Sequence, residues 1–397
     1  MGVVDSDPRF QVSFMDNHGA QLDITWADGH RSTFHAVWLR HACQCEDCGT
    51  YLSAIRSLRL TEIPDDIELA KVEEHHGEVR IVWCGDSHKS RFPARWLRER
   101  CNSESERTRR RWRPVLWSKE IEARVPEADY DACKADDGAR LVMLEKLRDH
   151  GFVLVRNVPD DPSATEDIAG LAGPLRITNY GSIYDFTYKP DALVYGDLNV
   201  ALDPHTDEPY RQAPPSVTCF HFIRAAAKGG ENTMTDGFRI GAILRDEDPV
   251  AFRLLATLPL TFYRRLEGQN RDFRMRAPVF SLDEDGEIAG IRHMDRSIGP
   301  ADMADDMIRP FYRALRRLQS LLFNPAHQVR VPVGSGEALF FNNQRVLHGR
   351  AAFAADGDRY MRTCHVELDE FNSTLRTLAA HQDSESANLN LPHGALV

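Results

Sequence analysis

Three thiols fall within six residues, at Cys43-Gln-Cys45-Glu-Asp-Cys48, and this cluster constrains the fold of the chain more than any other feature. Eight Cys in 397 residues are too few for a disulfide scaffold. In a reducing compartment, thiolates this close suit a tetrahedral metal site better than disulfides. A fourth ligand is needed. His88, in Asp86-Ser-His-Lys-Ser-Arg-Phe, follows a strand-like run and sits on a turn of the same region. Cys84 and His41 compete for the place. The favoured set is Cys43, Cys45, Cys48 and His88, a Cys3His zinc site. Four protein ligands leave no open position, so this zinc is expected to be structural.

The residues around the cluster read as a thin β-rich module. Phe10-Gln-Val-Ser-Phe and Leu22-Asp-Ile-Thr-Trp alternate in polarity around the turn residues Asn17-His-Gly, and Glu78–Trp83 repeats the pattern. A thin core of this kind benefits from a metal staple. The expected layout is a small β-rich zinc-binding domain over 1–112, a charged linker over 113–138, and a larger domain over 139–397. A short helix is expected over Ser118–Ala123. The run Arg109–Arg111 reads as a solvated face. No internal repeat is visible in the sequence.

From Leu141 a helical spacing runs to Gly151, a good helix stop, and Gly151–Val155 follows as a buried strand. Apolar or β-branched runs then recur at Val217–Ile223, Leu260–Tyr263, Ile288–Ile291, Gln328–Val333, Glu337–Phe341 and Tyr360–Leu368. One strong helix is expected over Met307–Leu322. The class is therefore α+β and mainly β. No G-x-G-x-x-G follows a strand and no P-loop exists, which argues against dinucleotide and NTP binding. Lys+Arg at 49 against Asp+Glu at 60 leaves a net charge of −11, the wrong sign for a nonspecific nucleic-acid binder. No stretch approaches the ~20 apolar residues that span a membrane. Met1-Gly-Val-Val-Asp-Ser-Asp lacks the basic and apolar regions of a signal peptide, so a cytoplasmic protein is expected.

His205-Thr-Asp207 sets an imidazole and a carboxylate two residues apart, on one side of an extended segment. With a distant His, such a pair makes the two-His, one-carboxylate triad of non-haem Fe(II) oxygenases, which leaves positions open for a 2-oxo acid and O2. His348, in Asn342-Asn-Gln-Arg-Val-Leu-His-Gly, is the candidate third ligand. Arg359 opens an apolar run eleven residues later. A guanidinium fork is the natural partner for the far carboxylate of 2-oxoglutarate.

These motifs, in this order, resemble the γ-butyrobetaine hydroxylase and trimethyllysine dioxygenase family. Trp38-Leu-Arg-His-Ala-Cys-Gln-Cys-Glu-Asp-Cys and His88-x-Ser-x-Phe-x3-Trp96-Leu resemble its N-terminal module. His205-Thr-Asp207-Glu-Pro-Tyr, Gly229-Gly230 with Asp236-Gly-Phe238, and Arg345-x-Leu-His348-Gly-Arg350 resemble its catalytic domain. The resemblance implies a double-stranded β-helix, or jelly roll. It also implies an Fe(II)- and 2-oxoglutarate-dependent hydroxylase acting on a small molecule with O2, commonly as a homodimer. Iron ligands would be His205, Asp207 and His348; Arg359, with Asn232 near it, would hold 2-oxoglutarate; Cys43, Cys45, Cys48 and His88 would hold zinc.

The family cages a trimethylammonium head with aromatic rings by cation–π attraction. Tyr180 and Tyr184 match two walls of that cage. At the third wall stands Asp197 and at the fourth His365, both departures from the pattern. Arginines are dense at Arg264, Arg265, Arg271, Arg274, Arg276, Arg292 and Arg296. A quaternary ammonium or amine head with an anionic tail is therefore expected, as in 2-(trimethylamino)ethylphosphonate or a γ-butyrobetaine-like compound. The competing expectation is a non-catalytic ligand-binding or sensor protein on the same fold, against which the intact triad and Arg359 speak.

Overall fold

Period-two alternation builds the first hundred residues, because every second side chain reaches one shared core. In this computed structural model residues 6–50, 55–85, 88–188, 198–225, 229–353 and 359–392 are described. The chain divides into two compact units, Met1–Trp112 with Asn388–Val397, and Arg113–Ala387.

The smaller unit holds two antiparallel meanders. Val12–Asn17, Gln21–Trp26 and Arg31–His35 form one, and the helix Ala36–His41 follows it. Leu69–His75, Glu78–Trp83 and Lys89–Pro93 form the other, followed by Ala94–Glu99. The same βββα unit thus occurs twice, which corrects the expectation of no internal repeat. Ser32-Thr-Phe-His-Ala-Val-Trp-Leu-Arg40 recurs as Ser90-Arg-Phe-Pro-Ala-Arg-Trp-Leu-Arg98, 58 positions on (90 − 32). Trp26 Nε1 donates to Ser32 Oγ at 2.8 Å, and Trp83 Nε1 to Ser90 Oγ at 2.9 Å. Phe34 stacks on Trp38, Trp38 on Trp96 and Trp96 on Phe92, with centroids 5.5–5.7 Å apart. The repeat is hard to see in sequence because the identities are confined to core positions, and the hairpin between Trp26 and Ser32 is one residue shorter than its counterpart.

The larger unit is a double-stranded β-helix. Its six-stranded sheet runs Ile183–Thr187, Tyr360–Val366, Val217–Arg224, Glu337–Asn342, Phe152–Arg156 and Glu127–Asp129. Its four-stranded sheet runs Leu202–His205, Val346–Arg350, Asn232–Asp236 and Val329–Val331. Phe152, Leu154, Phe220, Leu339 and Phe341 from the first sheet share one core with Met234, Val329 and Val346 from the second, so the sheets face each other. Alternate residues of the same strands, Val153, Val155, Cys219 and Phe340, pack with Leu144 and Leu147 of the helix Asp137–His150 and with Phe371 and Leu375 of Leu368–His381. Gly151, at φ 80°, ends the first of these helices as expected.

The 113–138 segment differs from a linker. Glu127–Asp129 pairs in parallel with Phe152–Arg156, and Tyr130–Ala135 is a helix capped by Asp129. A three-residue edge strand is too short to show a period in sequence; Glu127 pairs with Arg156 and Asp129 accepts from Asn157 across it. The expected helix near 118–123 is a 3-10 turn, Lys119–Arg124. In the 109–111 run, Arg109 pairs with Glu106, and Arg110 donates to the carbonyls of Glu99 and Cys101. Among the longer helices that escaped the sequence reading are Gly237–Glu247, Pro249–Thr257 and Leu368–His381. No helix among the described residues is long and apolar enough to cross a membrane.

Candidate functional site

Strand pairing places two of the three expected iron ligands. His205 ends the strand Leu202–His205 and lies directly opposite His348 in the neighbouring strand. The strands meet closely there because Gly349 carries no Cβ: one would sit 2.5 Å from the Leu202 carbonyl and 2.7 Å from Thr233 Oγ1. The carbonyl of Asp203 accepts from His205 Nδ1 at 2.8 Å, which leaves Nε2 as the free lone pair. The His348 ring lies beside Phe341 and Phe220, at 4.7 and 5.5 Å.

Asp207 lies beyond the ladder, and its carboxylate stands 3.5 Å from both Nε2 atoms. The three donor atoms lie within 4.8 Å of one another. Burial alone would raise the Asp207 carboxyl, but the His348 and His205 imidazoles beside it prevail and hold it well below the usual carboxylate range. One carboxylate between two imidazoles, open to a cavity on one side, is the donor set that non-haem Fe(II) takes.

Side chains replace the missing strand partners of this segment. Asn343 Oδ1 accepts from the Asp207 N–H at 2.6 Å, and its Nδ2 donates to the Asp207 carbonyl at 3.1 Å and the Pro215 carbonyl at 3.0 Å. Thr206 is clamped to the backbone of His293: its N–H donates to the His293 carbonyl at 2.7 Å, and its Oγ1 accepts from the His293 N–H at 3.0 Å. Asn343 sits in the turn leading to His348, next to Arg345. That buried guanidinium grips Asp236 through two 3.0 Å bonds. Neither Asn343 nor Thr206 was singled out from sequence; the one signal was an Asn five residues before the candidate His.

A cavity of about 290 Å³ opens on the triad. Tyr180, Tyr184, Tyr210 and His365 line one part of it. The Tyr180 and Tyr184 rings are 5.7 Å apart and Tyr184 and His365 5.6 Å. Tyr184 Oη hydrogen-bonds His365 Nε2, and His365 Nδ1 meets Thr218 Oγ1 at 3.0 Å. Burial keeps the Tyr184 and Tyr210 hydroxyls protonated, with help from the Asp207 and Glu208 charges. Arg264, Arg296, Arg350 and Arg359 line other parts, with Asn232. Arg359 is buried near Phe222 and Phe353. Asp197 lies outside the described residues. Of the remaining expected arginines, Arg274 and Arg276 pair outside with Asp272 and Asp302, and Arg292 donates to the carbonyls of Pro209 and Arg211. Tyr210, Glu208 and Arg350 were not predicted as lining residues; all three lie inside the quoted motifs.

Burial also pushes His293 and His365 down to about 4. Both rings stay neutral in the folded chain, whereas the unfolded chain takes up protons below about pH 6.5. Stability is therefore complete above pH 6.5 and lost as pH falls toward 4, by up to about 1.4 kcal/mol per pH unit for each ring. The metal-free protein is expected to unfold at progressively lower denaturant from pH 7 to pH 5. A flat midpoint over that range would show that these rings charge without unfolding.

The other expected cluster also assembles. His88 Nε2 lies 3.4 Å from Cys43 Sγ and 3.6 Å from both Cys45 Sγ and Cys48 Sγ. A tetrahedron with Zn–S of about 2.3 Å and Zn–N of about 2.0–2.1 Å has an S···N edge of about 3.6 Å, so the quartet fits zinc. Burial works against ionising Cys45, yet hydrogen bonds from Cys48 and Cys43 hold it low; burial pushes Cys48 up to about 11. Zinc binding to such a quartet releases thiol protons. Arg40 Nη1 donates to Cys48 Sγ at 3.2 Å.

Comparison with known proteins agrees with this geometry. The profile described as gamma-butyrobetaine hydroxylase-like, N-terminal, matches residues 14–98, which include the zinc quartet. A gamma-butyrobetaine dioxygenase from Pseudomonas sp. (strain AK-1) is 33% identical over 363 residues, covering 90% of this chain and 93% of that protein. A trimethyllysine dioxygenase from Meyerozyma guilliermondii is 29% identical over 381 residues, covering 91% and 94%. Human gamma-butyrobetaine dioxygenase is 28% identical over 371 residues, covering 91% and 95%. The profile described as taurine catabolism dioxygenase TauD, TfdA family, matches residues 114–365, the span that contains the triad and the whole cavity wall. The chain therefore belongs to the taurine catabolism dioxygenase TauD, TfdA family and is an Fe(II)- and 2-oxoglutarate-dependent dioxygenase.

Proposed function

We propose that this dioxygenase hydroxylates an unactivated C–H bond of a small zwitterion with a quaternary ammonium or amine head and an anionic tail. The candidates are 2-(trimethylamino)ethylphosphonate and a γ-butyrobetaine-like compound. One observation carries the reading: a single cavity holds the donor triad, a cluster of three tyrosines and four guanidiniums. His205, Asp207 and His348 hold iron. Arg359 pairs with the far carboxylate of 2-oxoglutarate, with Asn232 beside it. Iron and 2-oxoglutarate supply the chemistry, oxidative decarboxylation to succinate and CO2 coupled to oxygen insertion.

The protein positions the substrate. Tyr180, Tyr184 and Tyr210 offer ring faces to a cation, worth roughly 2 kcal/mol or more once desolvated. His365 stands as a neutral wall and holds Tyr184 in place. Arg264 and Arg296 take the anionic end. Two guanidiniums match a phosphonate dianion better than a carboxylate. The names of the relatives favour the cationic head, since γ-butyrobetaine and trimethyllysine both carry a trimethylammonium group. The proposal extends to a cytoplasmic homodimer that acts on a small molecule and engages neither nucleic acid nor membrane.

The test is succinate formation with Fe(II), ascorbate and 2-oxoglutarate over γ-butyrobetaine, trimethyllysine, 2-(trimethylamino)ethylphosphonate and their unmethylated amines. One compound is expected to stimulate succinate well above background. Arg264→Ala should raise KM for that compound about tenfold or more, the cost of losing a charge-assisted bond, with the uncoupled background unchanged. No stimulation by any member would overturn the substrate class while keeping the oxygenase. Asn343→Ala is expected to weaken Fe(II) binding by about 10–100-fold, as loss of a ligand-supporting partner does elsewhere. Unchanged competition with an iron chelator would show that the Asn343 clamp does not set the position of Asp207.

A further inference from the structure

The duplication in the N-terminal unit reaches beyond its strands. Carried forward by the same 58 positions, Cys43, Cys45 and Cys48 fall on Cys101, Ser103 and Glu106. Carried back, His88 falls on His30. Three of these counterparts, His30, Cys101 and Ser103, assemble in space as the zinc quartet does, while the Glu106 carboxylate is turned to Arg98 and Arg109. His30 Nε2 lies 3.4 Å from Cys101 Sγ, as His88 Nε2 does from Cys43 Sγ. Ser103 Oγ lies 3.4 Å from His30 Nε2, where Cys45 Sγ lies 3.6 Å from His88 Nε2.

The surroundings repeat as well. The Trp26 N–H donates to the His30 carbonyl and the Trp83 N–H to the His88 carbonyl, at 2.9 and 3.1 Å. The Cys43 N–H donates to Arg40 and the Cys101 N–H to Arg98, at 3.3 and 3.2 Å. Arg40 reaches Cys48 Sγ at 3.2 Å, and its counterpart Arg98 reaches Glu106 Oε1 at 2.8 Å. Each site takes three residues after the helix of one copy and its His from the hairpin of the other. That exchange is what a two-fold relation between the copies requires.

We propose that His30, Cys101, Ser103 and Glu106 form the pseudo-symmetric partner of the zinc site, a second metal site that has lost two of its four ligands and that two substitutions return to zinc binding. The inference rests on the zinc reading of the Cys43, Cys45, Cys48 and His88 quartet. Charge pairs have replaced the metal as the staple of the second copy. Arg98 forks onto Asp28 at 3.0 and 3.1 Å and onto Glu106, and Glu106 accepts from Arg109 Nε at 2.9 Å. The cation that would balance a thiolate at position 106 is already present in Arg98, as Arg40 balances Cys48.

The experiment is an anaerobic Co(II) titration of the metal-free full chain, read by thiolate-to-cobalt absorption, with zinc per chain counted by mass spectrometry. The iron triad contains no thiolate and is silent in this absorption. The parent chain is expected to show one thiolate-bound cobalt. Ser103→Cys with Glu106→Cys is expected to show two, and adding His30→Ala should return it to one. No thiolate–cobalt band in the parent would overturn the zinc reading itself. A parent with one and a folded double variant also with one would overturn this inference alone. Should the double variant not fold, Ser103→Cys by itself sets a second thiol beside Cys101 and His30 and should bind a second, weaker cobalt. Its failure to add thiolate–cobalt absorption would overturn the inference equally.

Discussion

Asp207→Ala is expected to bring iron-dependent succinate formation down to the level of the metal-free protein. Asp207 is the one carboxylate of the triad, and both imidazoles turn their Nε2 atoms toward it at 3.5 Å. Two neutral imidazoles hold Fe(II) poorly, because they supply no charge against the cation and leave an additional position unfilled. Loss of a partner that merely supports a ligand costs about 10–100-fold, so loss of the ligand should exceed about 100-fold in both iron affinity and turnover. The fold should persist, since the Asp207 backbone is held by Asn343 whatever side chain it carries. The measurements are chelator competition for Fe(II), succinate production and far-UV circular dichroism. Near-normal turnover in a folded variant would remove Asp207 from the ligand set.

Cys48→Ser is expected to strip zinc and unfold the N-terminal unit first. Structural zinc in small domains is worth about 10–16 kcal/mol at neutral pH, far more than a core this thin supplies unaided. Losing even about 4 kcal/mol lowers the melting midpoint of a unit near 100 residues by roughly 16–32 °C, at 4–8 °C per kcal/mol. The variant also leaves Arg40 buried beside a hydroxyl in place of a thiolate. Zinc content and the thermal transition read the outcome together. An unchanged zinc-to-chain ratio would exclude Cys48 as a ligand. A zinc-free chain with an unchanged transition would show that the metal is not a staple.

Both metal sites could be read from residue order, for one physical reason. Metal ligation needs particular atoms, and those atoms sit in short motifs: Cys43 to Cys48 within a single loop, His205 and Asp207 on one extended segment. The strands could be read wherever alternation was strong. Glu78–Trp83 and Gln21–Trp26 cover the runs picked from sequence, because a half-buried strand imprints its period on the chain. Glu127–Asp129 imprinted nothing, because three residues at a sheet edge are too few to show a period.

Sequence by itself thus determined the candidate ligand sets and the mainly β class, with four donors at one site and three at the other. Tertiary structure alone decided which of many arginines face the cavity. Arg264 and Arg296 line it, whereas Arg274 and Arg276 pair outside. It also decided that Asn343 holds the Asp207 peptide across 136 residues, and that Cys101 and His30 mirror Cys43 and His88. Such relations depend on how distant segments pair, and pairing is set by the packing of the whole core, which no local motif encodes.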